Sequence, residues 1–195
     1  MSECKAVAAL LSSLAVAGTS CAVAAEHRNA ASFYVARISS VNAWHELIKE
    51  PNHAEFVDAW VAVAALSHVL GPDRDQRLTW EVEGQVGYNF GDQSHWELNA
   101  AFGPRWHDFP WSDSLATSAA FLFGLSMASE VPEVEVELEG ASEKLLIYWA
   151  AELTFGPPQE NWAVLLRLHH RSGAFGLLAD DGGMNAVGLG VRFTF

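Results

Sequence analysis

"LTWEVEGQVGYNF", residues 78–90, is the stretch on which the fold turns. Leu78, Trp80, Val82, Val86, Tyr88 and Phe90 occupy alternate positions, with Thr79, Glu81, Glu83, Gln85 and Asn89 between them. Successive side chains of a strand point to opposite faces, so this pattern predicts a strand with one large apolar face and one polar face. Two glutamates on the polar face raise the question of which side is wet.

The same alternation recurs along the chain. Trp96, Leu98, Ala100, Phe102 and Trp106 oppose Glu97, Asn99 and Arg105; Leu145, Ile147, Trp149, Leu153 and Phe155 oppose Tyr148, Glu152 and Thr154. Trp162, Val164, Leu166 and Leu168 oppose Arg167, His169 and Arg171. Turn chemistry in "GPDRDQ", "HDFPWS" and "GPPQEN" separates the segments, which are predicted near 31–40, 56–70, 77–91, 95–107, 114–128, 143–156, 162–172 and 185–195. These three turns follow even-numbered segments, and the connections after odd-numbered ones are longer on average, the habit of outer-membrane barrels.

Composition decides the faces. A soluble lipocalin-like barrel would put its apolar side chains inside. Here the polar face carries Glu81, Glu83, Glu97 and Glu152 against Arg105, Arg167, Arg171 and Arg192, which can pair within the filled interior of eight strands. The other face is aromatic and continuous, as lipid requires, and Trp106, Phe109, Trp111, Phe155 and Trp162 gather at the short-turn end like a girdle. The expected fold is therefore an all-β, eight-stranded antiparallel transmembrane barrel, whose closure satisfies every backbone group. The acidic stretch "SEVPEVEVELEGASEK" (129–144) also alternates and is expected to form a hairpin above the membrane, with a solvated loop favoured over divalent-cation binding.

Residues 1–25 read as a secretory signal, with Lys5, the apolar run "AVAALLSSLAVAG" and small residues before Glu26; residues 26–195 are then the barrel domain. Both cysteines, Cys4 and Cys21, fall in the signal, which removes disulfides and cysteine metal sites from the mature chain. No histidine spacing suggests a metal, and no cofactor motif is present. The net charge of −13 argues against nucleic acid as a partner. Oligomeric state is not legible.

"LRLHHRSGAFGLL" (166–178) breaks the lipid-facing stripe. On an outward-running seventh strand, Arg167, His169 and Arg171 face the lumen, whereas His170 and Ser172 face lipid near the outer boundary. Asn185 opens the lipid-facing series of the eighth strand at a similar height. The three form either a candidate polar site or the polar border where a strand leaves the membrane.

The His-x-Ser pair in "HHRSG", the loop "AFGLLADDGG", the eight-segment layout and the final strand "NAVGLGVRFTF" ending in Phe195 carry a resemblance. With them the chain resembles the outer-membrane lipid A 3-O-deacylases, the PagL-like family often grouped with acyloxyacyl hydrolases. The resemblance implies that Ser172 is the nucleophile and His170 the general base. The substrate is then the lipid A part of lipopolysaccharide, cut at an ester-linked acyl chain, in a bacterial outer membrane with the site facing the outer leaflet. The family's third residue is a glutamate on the last strand; Asn185 stands in its place, and Asp180 or Asp181 is an alternative orienting group. Gly173 follows the serine where the family pattern leads one to expect Asn. Backbone N–H groups of Gly173, Ala174 and Gly176 are the oxyanion candidates, since glycine permits the geometry. The rival reading is a non-catalytic structural or adhesion barrel.

Overall fold

The computed structural model describes residues 27–40, 44, 49, 55–70, 77–174, 176, 178, 179 and 182–195. The signal segment and Asp180 and Asp181 lie outside the described residues. Eight strands follow in order: β1 (Asn29–Ser39), β2 (Phe56–Leu70), β3 (Leu78–Gly91), β4 (His95–Trp106), β5 (Ala116–Ala128), β6 (Leu145–Gly156), β7 (Trp162–Ser172) and β8 (Gly183–Thr194). Each pairs antiparallel with its sequence neighbour, and β8 closes on β1, so the sheet has no edge. Alternation thus placed every strand, with boundaries within about two residues.

Closure sorts the side chains as lipid demands. Phe33, Leu66, Trp80, Trp96, Phe102 and Leu189 stand on the outer wall, whereas Glu81, Glu83, Glu97, Glu152, Arg105 and Arg167 are buried within. Among the described residues no helix is long and apolar enough to span a bilayer; the exposed apolar surface is carried mainly by the strands.

The buried charges are paired, because an isolated ion in such an interior would cost several kcal/mol. Arg105 Nη2 bonds Glu81 at 2.7 Å and Glu152 at 2.6 Å; Arg167 bonds Glu83 at 2.7 Å and also Glu152. Arg192 reaches Glu81 at 2.7 Å. His169 bridges Tyr34 and Glu97, each at 2.9 Å, and belongs to this interior network. Arg171 departs from the expected pattern: it points inward, but its carboxylate partner is Glu135, at 2.6 Å.

Glu135 belongs to a helix, α1 (Glu133–Glu139), where a hairpin was expected. The apolar residues of "EVEVELE" satisfy a helix as well as a strand, because Val134 and Leu138 are four apart and share a face. Val134 is buried and Leu138 packs beside it, whereas Val136 turns outward. Pro132 starts the helix, and Gly140 ends it in the left-handed conformation (φ 87°) with its N–H donating to Val136 O. The solvated-loop expectation fails at Glu135, which is fully buried over the outer end of the barrel.

A candidate active site on the outer wall

The register of β7 sets the site. His170 lies opposite Trp149 of β6 and Asn185 of β8, and Ser172 lies opposite Ile147 and Gly183. Even positions of β7 face outward, so His170 and Ser172 end a stripe that begins with Trp162, Val164 and Leu166. Adjacent outward residues of one strand are about 6.7 Å apart at Cα, within side-chain reach.

His170 Nδ1 donates to Asn185 Oδ1 at 2.8 Å. An amide oxygen can only accept, so the bond places the ring proton on Nδ1 and leaves the Nε2 lone pair available to take a proton. Trp149 covers the other side of the imidazole, with centroids 4.5 Å apart and planes inclined by 32°. Phe121 stacks on Trp149 in turn, and Trp44 meets it edge-on at 5.6 Å. Although outward-facing, His170 is therefore only 9% exposed and Asn185 2%.

Three expected residues thus come together on one face, and two of them bond. His170 and Asn185 share a hydrogen bond, whereas no hydrogen bond joins Ser172 to His170 in this structure. Catalytic hydrogen bonds often tighten only with substrate in place.

Beyond Ser172, Leu178, Ala179 and Gly182 bond back onto Gly173. Gly173 N–H donates to Gly182 O at 3.2 Å, while Gly173 O accepts from the N–H groups of Leu178 (3.0 Å) and Ala179 (3.4 Å). A Cβ at position 173 would stand 2.4 Å from Ala179 O, which explains why a glycine replaces the larger residue expected there. Of the three oxyanion candidates, Gly173 has its N–H committed to Gly182, so serving an oxyanion requires that bond to open. Ala174 and Gly176 both adopt positive φ, at 55° and 86°.

Sequence reasoning missed Trp149 as the cover of His170 and Glu135 as the partner of Arg171. Neither has a local signal, because each contact depends on register or loop packing.

The fold is a closed eight-stranded barrel with a polar interior and an apolar wall, the architecture of small outer-membrane barrels. No protein-family model matches the chain, and no curated protein sequence does. Among solved structures it is similar to the outer membrane enzyme PagL, at 14% identity over 85% of this chain and 99% of the other, with a TM-score of 0.59. It is also similar to Ail, the attachment invasion locus protein of Yersinia pestis, at 13% identity over 87% and 99% of the two chains, with a TM-score of 0.49.

Proposed function

We propose that the chain is a serine esterase of the bacterial outer membrane that hydrolyses an ester-linked acyl chain of lipid A. The single observation that carries this reading is the His170–Asn185 bond, which fixes the base's tautomer two residues from Ser172 on a lipid-facing wall. A water-soluble substrate would not meet this face; a lipid ester at the outer-leaflet boundary does.

In the proposed reaction Ser172 Oγ attacks the ester carbonyl carbon while His170 Nε2 takes its proton. The tetrahedral oxyanion is met by the backbone N–H groups of Ala174 and Gly176, and by that of Gly173 once its bond to Gly182 O opens. Collapse expels the sugar alkoxide, which takes the proton back from His170 and leaves an acyl-Ser172 that water then hydrolyses. Asn185 orients the imidazole but brings no charge to the imidazolium, unlike a carboxylate, which predicts a slow enzyme.

Protein reconstituted with lipid A should convert it to a species lacking one acyl chain by mass spectrometry, and Ser172→Ala should abolish that change. An unaltered acyl pattern with wild-type protein overturns the proposal. It would favour the non-catalytic barrel, which the neutral Asn185 and the engaged Gly173 N–H also suit.

A further inference from the structure

The wall of β1–β3 presents a cation to the membrane. Arg37 is an outward residue two positions from the outer end of β1, opposite Trp60 of β2 and Val187 of β8. Its Nε donates to Val57 O at 3.0 Å. The guanidinium carbon lies 5.1 Å from the Trp60 ring centroid and 5.8 Å from that of Phe56. Among the described residues it meets one carbonyl and two aromatic faces, and no carboxylate comes within ion-pair distance. An arginine on the lipid face is tolerated near the interface and is stabilised there by an anionic counter-ion.

Directly below Trp60, β2 presents small residues outward. Ala62 and Ala64 form the floor of a furrow of about 510 Å³, walled by Phe33 and Val35 of β1 and by Val86 and Tyr88 of β3. From Trp60 to Ala64 the strand runs about 13 Å, which at a barrel tilt of about 35–45° spans about 10 Å of depth, roughly two thirds of one leaflet's ~15 Å of hydrocarbon. The furrow is apolar, open sideways to the bilayer, and headed by the cation.

We propose that this wall binds one anionic phosphodiester lipid, with its phosphate on the Nη edge of Arg37 and an acyl chain along Ala62 and Ala64. A guanidinium anchored by a carbonyl and set over two rings is preorganised for a phosphate contact. Asp58 selects the charge of the ligand. Its carboxylate is held on the same face by Trp60 Nε1 at 3.2 Å, so a doubly charged phosphate monoester would meet repulsion that a singly charged diester largely escapes. The register places Arg37 opposite Val187, two residues from Asn185 on β8, so the site adjoins the candidate active site on the same wall. It involves neither His170 nor Ser172 and does not depend on the esterase reading.

Native mass spectrometry of the full chain, released from mixed vesicles of phosphatidylglycerol and phosphatidylcholine with identical chains, tests this. One retained phosphatidylglycerol per barrel is expected, with Arg37→Gln reducing its retention about fivefold to tenfold. Ala62→Leu with Ala64→Leu, which fills the furrow without touching the charge, should reduce retention as well. Urea unfolding of each variant checks that the barrel remains intact. Equal retention of the two lipids, or unchanged retention in Arg37→Gln, overturns the site. Preferential retention of added lipid A over phosphatidylglycerol overturns the assignment of a phosphodiester occupant.

Discussion

Glu135→Ala should destabilise the barrel although Glu135 lies in a loop helix rather than a strand. Arg171 Nη1 bonds Glu135 at 2.6 Å, with both side chains fully buried. Ser142 Oγ donates to the same carboxylate at 2.5 Å. Removing one partner of a buried ion pair costs about 3–5 kcal/mol, because the other charge is left uncompensated. Arg171 keeps two carbonyl acceptors through Nη2, Lys144 O at 3.1 Å and Glu143 O at 3.3 Å, which points to the low end, about 3 kcal/mol. At a slope of about 1–3 kcal/mol per molar urea, the midpoint should fall by roughly 1–3 M. The assay is urea unfolding in detergent micelles followed by tryptophan fluorescence. Replacing both partners with apolar residues, Glu135→Leu with Arg171→Met, should recover most of the loss, since the desolvation cost disappears with the charges. A midpoint shift below about 0.3 M in Glu135→Ala, or a double variant no better than the single, would refute the claim that this pair holds α1 on the barrel.

Three further outcomes follow from the same geometry. Asn185→Ala should lower lipid A deacylation by about 10²-fold or more, while Asn185→Asp should raise it above wild type by giving the imidazolium a charged partner; both are read by mass-spectrometric time courses. Trp149→Ala should reduce the same rate between about twofold and tenfold, the worth of its ring contact with His170. Burial holds His107, just beyond β4, down at about 4, beside Thr79 Oγ1 at 3.0 Å. The unfolded chain therefore takes up this proton first as pH falls, so the stability His107 contributes is complete above pH ~6.5 and is lost on descending toward pH 4, by at most about 3 kcal/mol. His107→Gln should flatten the dependence of the urea midpoint between pH 7.5 and 4.5, and an unaltered slope would count against this.

Much of the molecule was legible in its sequence. Period 2 in segments such as 78–90 fixed strand type and the two faces, because a strand allows a side chain only two directions. Composition then chose the inside: Glu81, Glu83, Glu97 and Glu152 need partners, and Arg105, Arg167 and Arg192 supply most of them. The parity of β7 separated His169 from His170, and the structure places the first in the interior network and the second against Asn185.

What alternation could not supply is the neighbour. Period 2 says which side of the sheet a residue occupies but not which residue stands beside it; that depends on the register between strands and on barrel closure. Trp149 covers His170, and Arg37 meets Trp60, because the pairings of β6 with β7 and β1 with β2 bring those rows together. The acidic stretch misled for the same reason. Val134 and Leu138 are spaced for either a strand or a helix, and only the packing of α1 over Arg171 selects the helix. The sequence by itself determined a barrel and its two faces, while the tertiary structure decided which groups on those faces meet.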